Sequence, residues 1–377
     1  MKATTASPAS DWRSEPRRAV AIAIAAVAFA AWSGAPDARA QTLEKVAVAT
    51  PTVPSVSFAT FSIATRAGFF KEEGIDFQLS TFDGTGVVMP LVLGGKVPIV
   101  FSNPSWLVFA RQPGKEFAPV KFFYNYNRTN VWQLAVNKGS PIKALPDLKG
   151  KLIGVANASG GMNDMTKAML KNAGVPESDI QFQVVGAGVP AWLALKSGKI
   201  DALLHIKVWR ARMQTKGFES TVLDRPHRFT IIPSLGLLAR EETIEKQPKI
   251  LIGVARAITK GTLFCDTNPE ACVREFYKDY PEQAPKSVAE EKDQVPHDIH
   301  VLRANLDDQL RLPGGDESIL GQYSERVWKT YIDILHESGE IKSKDIPLDS
   351  LYTDKLLFAI NDFDALAVRE RAKAWKN

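Results

Sequence analysis

A glycine-rich turn at residues 157–162 carries residue types suited to binding an oxygen atom of a small ligand. Asn157 opens this turn, which stands between a predicted strand and a predicted helix, where the first N–H groups of the helix have no partner within it. Ser159 can cap the helix, while Gly160 and Gly161 allow an anionic or carbonyl oxygen to approach its N–H groups. Capping alone also explains serine and glycine at these positions, so the turn permits ligand binding without requiring it.

Four earlier loops are also rich in Thr, Ser, Asn and Gly. Such residues donate hydrogen bonds to polar ligands and allow close approach of the backbone. They are also ordinary turn residues, so we expect about half of them to have only a local role. The candidate ligand contacts in these loops are Thr50, Phe82, Gly84, Thr85, Asn103 and Tyr126.

A third group of candidates lies between residues 186 and 210. Gly186 begins a loop whose glycine spacing lacks the full dinucleotide fingerprint, so a nucleotide is not predicted. His205 and Trp209 follow at the end of a later predicted strand, with Lys207 and Arg210 beside them. Either cation could neutralise a carboxylate or sulfonate, although basic residues at the start of a helix are more often solvated.

The chain lacks the residue patterns of common catalytic and metal sites. Only one of its five histidines, His205, falls near the proposed site, and no Gly-x-Ser-x-Gly motif is present. Neither of the two cysteines, Cys265 and Cys272, has a second cysteine or a histidine at metal-ligand spacing. We therefore predict a protein that is not an enzyme and needs no cofactor or metal.

Strands alternate with helical patterns so that the candidate residues fall in the loops between them. Two such βαβ series predict two α/β units with largely parallel sheets, in which ligands lie beyond the carboxyl ends of the strands. The predicted strands are Lys45–Ala49, Ile75–Ser80 and Ile99–Ser102, then Leu152–Ala156, Phe182–Val185 and Ala202–His205.

The predicted fold is α/β with two lobes, two crossover strands and a helical C-terminal extension on lobe one. After about Leu238 only helical patterns remain, and these pack most economically on the first series. The extended stretches Val131–Val136 and Phe229–Leu238 are the predicted crossovers, which would act as a hinge. The expected division is residues 41–132 and 235–377 for lobe one and 133–234 for lobe two.

The first forty residues predict an export signal. Basic residues, including Arg17 and Arg18, precede an apolar run from Ala19 to Trp32, and small residues at Ala38 and Ala40 suit cleavage after Ala40. A retained anchor is the alternative. The expected location is the periplasm, and the export route stays open between the general and twin-arginine pathways.

Export bears on the two cysteines, because an oxidising compartment favours a disulfide. Cys265 and Cys272 flank the predicted helix corner at Pro269, and a bond between them would close it. Two separate buried thiols fit the seven-residue spacing as well.

Composition limits the class of partner. The chain has 377 residues, 45% of them hydrophobic and 24% charged, which is typical of globular domains. Its 47 Lys+Arg and 42 Asp+Glu give a net charge of +5 without any basic block, so nucleic acid is not an expected partner.

Four segments in order resemble one known family. They are Ala64 to Ile75, which contains Gly-Phe-Phe-Lys-Glu-Glu-Gly-Ile, then Leu93 to Ile99, Pro141 to Val155 and Leu195 to Ala202. Together with the opening strand they resemble periplasmic solute-binding proteins of ABC importers for nitrate, sulfonate and taurine, and thiamine-pyrimidine-synthase-like proteins. The resemblance covers about residues 43 to 280 and is weaker in the C-terminal helices.

The resemblance implies a type II periplasmic-binding fold of two lobes that close over a small organic solute. The solute would be anionic or heteroaromatic: a sulfonate, a carboxylate, a nitrate-like anion or a thiamine precursor. In this family the ligand's polar group binds at the position of Ser159 and Gly160. An ABC permease in the inner membrane is the implied protein partner, and we expect a monomer. A thiamine-pyrimidine-synthase-like enzyme and a periplasmic sensor are the alternatives, although the enzyme's cysteine-rich iron motif has no counterpart here.

Overall fold

The computed structural model describes residues 42–51, 54–82, 84–158, 161–312 and 317–376. The predicted signal peptide, Ser159 and Gly160 lie outside the described residues. In the described part of the chain, ten strands form two five-stranded sheets. The strands are β1 (Glu44–Thr50), β2 (Ile75–Thr81), β3 (Ile99–Ser102), β4 (Val120–Asn127), β5 (Trp132–Asn137), β6 (Leu152–Val155), β7 (Gln181–Val184), β8 (Ala202–Ile206), β9 (Ser220–Val222) and β10 (Leu235–Arg240).

The two sheets repeat one arrangement. The first has the order β2-β1-β3-β10-β4 and the second β7-β6-β8-β5-β9. In each sheet the first three strands are parallel, and the fourth runs antiparallel to both of its neighbours. The predicted doubling of an α/β unit is therefore confirmed. We call the first sheet and the helices packed on it lobe one, and the second lobe two.

Helices cover the sheets and make up most of the C-terminal part. Their bounds are α1 (Ala59–Arg66), α2 (Phe69–Glu72), α3 (Thr85–Leu93), α4 (Pro104–Ala110), α5 (Gly161–Asn172), α6 (Val189–Lys196), α7 (Lys207–Gln214), α8 (Glu241–Lys246), α9 (Pro248–Thr267), α10 (Pro269–Asp279), α11 (Val288–Leu310), α12 (Glu325–Glu337), α13 (Leu357–Asn361) and α14 (Ala365–Ala374).

The segments that join the lobes differ from the predicted crossovers. Residues 132–137 are strand β5 of the second sheet, and residues 235–240 are strand β10 of the first. The chain instead passes between the sheets at residues 128–131 and 223–234. Both stretches are strands, as predicted, but each is hydrogen-bonded on both sides within one sheet, β5 between β8 and β9 and β10 between β3 and β4, so the crossing falls in the segment before it.

The C-terminal helices pack on lobe one and also reach lobe two. Helices α9 and α10 lie on α1, as the sequence predicts, and α14 packs on α9. Gly261 allows α9 to approach α1 closely, because a β-carbon there would lie 2.3 Å from the carbonyl oxygen of Thr60. Helix α11 in addition contacts α7, and α12 contacts α5. The extension therefore bridges both sheets on the side of the connecting segments.

A disulfide joins α9 to α10. The sulfur atoms of Cys265 and Cys272 are bonded, and their Cα atoms lie 5.6 Å apart. Both residues are fully buried in the core of lobe one. Asn268 lies between the two helices and caps α10 by accepting a hydrogen bond from the backbone N–H of Ala271 (3.1 Å). The corner is thus held by a covalent bond and a helix cap.

Candidate functional site

The carboxyl ends of β1, β2 and β3 lie at one edge of lobe one, since these strands are parallel. Thr50 ends β1 and is buried. Phe82 donates its backbone N–H to the Thr50 carbonyl (2.9 Å), and Gly84 donates to the Pro51 carbonyl (3.3 Å). Asn103 directly follows β3. The structure therefore brings four predicted contacts to one edge of the sheet, where α/β folds bind ligands.

Asn103 occupies the position before α4 without capping it. Its side-chain Oδ1 accepts a hydrogen bond from the hydroxyl of Ser105 (2.5 Å), and no backbone N–H of α4 donates to it. The residue is half-buried. Because the carbonyl oxygen of the amide is engaged, its Nδ2 hydrogens are the donors it can offer to a ligand.

Gly84 and Gly186 hold equivalent places in the two lobes. Gly84 lies between β2 and α3, and Gly186 lies between β7 and α6. Both have positive φ angles, +91° and +73°, which side chains other than glycine rarely adopt. Thr85 begins α3 and is half-buried. Each edge strand is therefore followed by a tight loop and then by a helix.

Tyr126 lies beneath this edge in an aromatic cluster. Its ring contacts Phe101 edge-on, with 5.1 Å between ring centroids, and it also contacts Phe61 at 5.9 Å. Its hydroxyl is 3.4 Å from that of Thr60, and burial raises the pKa of the phenol. The structure thus places Tyr126 in the core of lobe one and not among the loops at the strand ends.

In lobe two, the turn before α5 is tied to the helix by Asn163. The side-chain Nδ2 of Asn163 donates to the carbonyl of Asn157 (3.0 Å). Asn163 is buried, and its Oδ1 has no hydrogen-bond partner. Asn157 is exposed, and Gly161 begins α5. Ser159 and Gly160, which have the strongest predicted role in this turn, lie outside the described residues. Asn163 was not among the predicted site residues. Asparagine is seldom buried, so its position in the first turn of the predicted helix was the available signal.

His205 is a buried histidine at the carboxyl end of β8. Its ring lies 5.1 Å from that of Trp192, between centroids, and its Nδ1 is 2.9 Å from the carbonyl oxygen of Ile206. A carbonyl oxygen can only accept, so Nδ1 carries the proton and Nε2 is the acceptor of the neutral ring. Burial lowers the pKa of His205 to about 4, against the opposing effect of the hydrogen bond to Ile206 and with a smaller contribution from the charge of Arg210. His205 is therefore neutral at pH 7.

Lys207 does not supply a free cation to the cleft. It begins α7 in lobe two, and its ammonium group forms ion pairs with Asp307 and with Asp308 (3.2 Å) on α11. Asp308 also accepts a hydrogen bond from Thr129 (2.8 Å) in the first connecting segment. Burial raises the pKa of Asp308, while Lys207 and Thr129 oppose that shift. The suggested anion-binding role of Lys207 is replaced by a contact between the lobes. Trp209 lies half-buried on α7.

Several polar atoms near the strand ends of lobe two are buried without a partner. Besides Nε2 of His205, they are Oε1 of Gln133, Nε1 of Trp192 and Nε of Arg210. Gln133 was not predicted, because the local pattern of β5 does not show that this residue is paired with His205 across the sheet. Each such atom costs free energy unless a ligand or water satisfies it.

Arg225 holds the two connecting segments together. Its guanidinium donates to the carbonyl of Asn130 (2.8 Å), to the carbonyl of Trp132 and to the hydroxyl of Thr230 (3.2 Å). Asn130 in turn donates through Nδ2 to the carbonyl of Phe229 (2.8 Å). Burial lowers the pKa of Arg225 to about 10, and the carboxylate of Asp308 opposes the shift. Both passages between the lobes thus form one hydrogen-bonded unit.

The described ranges contain no group of three or more His, Cys, Asp or Glu side chains that could hold a metal ion. Nor does any helix of these ranges have the length and apolarity to cross a membrane.

Residues 55–272 match the family model described as NMT1/THI5 like, which is more than half of the chain. The chain belongs to this NMT1/THI5-like family. The match confirms the resemblance noted from the sequence and covers most of the stretch expected there. It also ends within α10, so the later helices lie outside it.

Two curated relatives of this family member are named as binding proteins. The riboflavin-binding protein RibY of Chloroflexus aurantiacus is 24% identical over 245 residues, which cover 64% of this chain and 68% of RibY. The binding protein YtlA of Bacillus subtilis is 24% identical over 322 residues, covering 84% of this chain and 90% of YtlA.

Solved structures confirm the two-lobed fold of periplasmic binding proteins. The periplasmic aliphatic sulphonate binding protein SsuA of Escherichia coli aligns with a TM-score of 0.61 and 16% identity, over 82% of this chain and 92% of SsuA. The desulfurization enzyme DSZB aligns with a TM-score of 0.51 and 13% identity, over 84% of this chain and 98% of that protein. One fold thus serves binding proteins and at least one enzyme, so function must be argued from the site.

Proposed function

We propose that this protein is the solute-binding component of an ABC importer and captures a small organic molecule by closing its two lobes. The observation that carries this proposal is the pair of like sheets, each ending in polar loops, joined by two short segments that Arg225 bonds together. Such an arrangement can rotate as two bodies about a small hinge. The names of RibY, YtlA and SsuA agree with binding as the activity.

The proposed ligand contacts come from both lobes. Those at the strand ends of lobe one are Thr50, Phe82, Gly84, Thr85 and Asn103, and those of lobe two are Asn157, Ser159, Gly160, Gly161, Gly186, His205 and Trp209. Tyr126 would support this group from the core without touching the ligand. An anionic or heteroaromatic solute fits the mixture of backbone donors, amides and aromatic rings.

The same proposal implies export to the periplasm and a membrane permease as the protein partner. Removal of residues 1–40 would release the mature protein into the periplasm, where closure presents both lobes to a permease in the inner membrane. A monomer suffices, since each chain carries both halves of the site. A periplasmic sensor protein would use the same closed form, and a permease gene beside this one would favour transport.

An enzymatic role is the second candidate, because DSZB shares the fold. The chain's two cysteines are bonded to each other, so no free thiol is available as a nucleophile. His205, the histidine at the strand ends, is buried against Trp192, and its Nδ1 hydrogen-bonds the carbonyl of Ile206 and not a serine or cysteine side chain.

Screening the mature protein by thermal shift against sulfonates, carboxylates, pyrimidines and flavins tests the proposal. We expect one class to raise the melting temperature, because a ligand at 100 times its Kd stabilises the native state by about 2.7 kcal/mol. The compound that scores should be recovered unchanged after long incubation. Conversion of that compound to a product would contradict a binding protein and favour the enzyme.

A further inference from the structure

Three residues with unpartnered polar atoms share one face of lobe two. Gln133 on β5 and His205 on β8 are opposite each other in the antiparallel register, so their side chains lie on the same face of the sheet. Trp192 of α6 packs against His205 on that face. Ala135 and Leu203, the next pair on the same face, belong with Trp192 to one buried cluster. Gln133, Trp192 and His205 are called the polar triplet below.

The polar triplet lies at the ligand end of lobe two. His205 is the next-to-last residue of β8, and Gln133 is the second residue of β5, which runs in the opposite direction. Trp192 is in the first turn of α6, directly after the loop that contains Gly186. Strand ends and the first turns of the following helices form the binding crevice in this class of sheet.

The polar triplet offers one hydrogen-bond donor and two acceptors. Trp192 and His205 are buried with relative exposures of 2% and 1%, and Nε1 of Trp192 and Nε2 of His205 both lack partners. The indole N–H can only donate. Nε2 of His205 accepts, because Nδ1 carries the proton bonded to the Ile206 carbonyl. Oε1 of Gln133, also buried and unpartnered, is a second acceptor.

A sulfonate, nitrate or carboxylate ion has only acceptor atoms, so it could satisfy the indole but would leave both acceptors of the triplet unpaired. Both acceptors are already buried without a partner, so a ligand N–H gains a hydrogen bond there that an anion cannot supply. A cyclic amide or imide edge, with an N–H beside a carbonyl, satisfies the indole donor and one of the two acceptors together. Its carbonyl can also accept from Arg210, whose Nε is buried without a partner.

Resting on the proposed solute-binding function, we infer that Gln133, Trp192 and His205 recognise the edge of a neutral ring that carries an N–H beside a carbonyl group. The three side chains are specificity-determining residues of lobe two. The N–H of the ring donates to His205 or Gln133, and its carbonyl accepts from Trp192. A bare anion lacks the hydrogen that this edge supplies.

Titration calorimetry with the mature protein at pH 7.5 tests this inference. The probes are uracil and riboflavin, which carry the edge, 1,3-dimethyluracil, which has lost both N–H groups, and the sulfonate MOPS. We expect at least one of the first two to bind, and 1,3-dimethyluracil to bind at least ten times more weakly than uracil. MOPS binding while both unmethylated rings fail to bind would overturn the inference and leave the proposed function standing.

A matched pair of variants assigns the effect to the triplet. Trp192→Phe keeps an aromatic ring but removes the donor, and we expect it to weaken binding of the ring about tenfold. Trp328→Phe removes another buried, unpartnered indole N–H, but Trp328 packs on Phe122 and Tyr352 in lobe one. Binding by Trp328→Phe should stay within twofold of the unchanged protein.

Equal affinity of the two variants would overturn the inference. If Trp192→Phe does not fold, the comparison of uracil with 1,3-dimethyluracil in the unchanged protein decides, because methylation alone removes the proposed donor. Failure of every ring to bind overturns the inference as well. Conversion of a bound ring to a product would instead overturn the proposed function.

Discussion

Replacing Arg225 with alanine is expected to lower the free energy of unfolding by about 3 kcal/mol, because the carbonyls of Asn130 and Trp132 lose a charged donor. The same change frees the two connecting segments from each other, so closing the lobes around a ligand must order them at a greater cost in conformational entropy. We therefore also expect weaker ligand binding, although Arg225 is not a proposed ligand contact. Urea denaturation and calorimetry measure the two effects.

Arg228→Ala is the matched control for Arg225. Arg228 lies three residues away and forms an ion pair with Glu337 (2.8 Å) in which Glu337 is about half exposed. Exposed ion pairs contribute about 0 to 1 kcal/mol, so this change should be nearly neutral. Equal losses of stability in the two variants would contradict the view that Arg225 holds the hinge.

Acidification from pH 7 to pH 4 is expected to remove about 3 kcal/mol of stability through His205 alone. In the folded protein the pKa of this histidine is lowered to about 4, chiefly by burial, while an unfolded histidine has a pKa near 6.5. The unfolded chain therefore takes up the proton first as the pH falls. The loss should begin below about pH 6.5 and level off once the pH passes below about 4.

His205→Gln removes this titration, so its stability should fall less between pH 7 and pH 4 than that of the unchanged protein. Carboxylates that titrate in the same range contribute equally to both proteins, and the difference isolates His205. His336→Gln, at an exposed position on α12, should follow the unchanged protein. Superimposable pH profiles for the unchanged protein and His205→Gln would show that His205 is not buried as a neutral ring.

The alternation of strands and helices predicted much of the fold. Six predicted strands correspond to β1, β2, β3, β6, β7 and β8, because parallel strands between helices have short apolar runs with clear boundaries. β5 and β10 were predicted as crossover strands between the lobes, whereas each belongs to a single sheet. Each strand lies next to a passage between the lobes. An extended stretch that connects two sheets has the same local sequence pattern as a strand that belongs to one of them.

Contacts between residues far apart in the chain limited how much of the site could be predicted from the sequence. Lys207 looked like a cation for a ligand because its partners, Asp307 and Asp308, lie a hundred positions later on another helix. Tyr126 follows polar loop residues, yet packing with Phe61 and Phe101 decides its place. Gln133 and Trp192 gain meaning only beside His205, through strand register and helix packing that no local pattern contains.

Motion of the lobes should be largest at the strands farthest from the hinge. The connecting segments leave from β4 and β9 and enter β5 and β10, whereas β2 and β7 form the opposite edges of the two sheets. Val87 on α3 and Leu193 on α6 follow these edge strands and are 47% and 51% exposed. Spin labels on cysteines introduced at these positions would report the distance across the cleft.

Double electron–electron resonance between these two labels, with and without the compound that raises the melting temperature, tests lobe closure most directly. We expect ligand to shorten the mean distance by more than about 2 Å and to narrow its distribution. A second pair at Val87 and Phe117, both in lobe one, should not change. An unchanged distance between Val87 and Leu193 in a sample shown to be ligand-bound would contradict capture by closure.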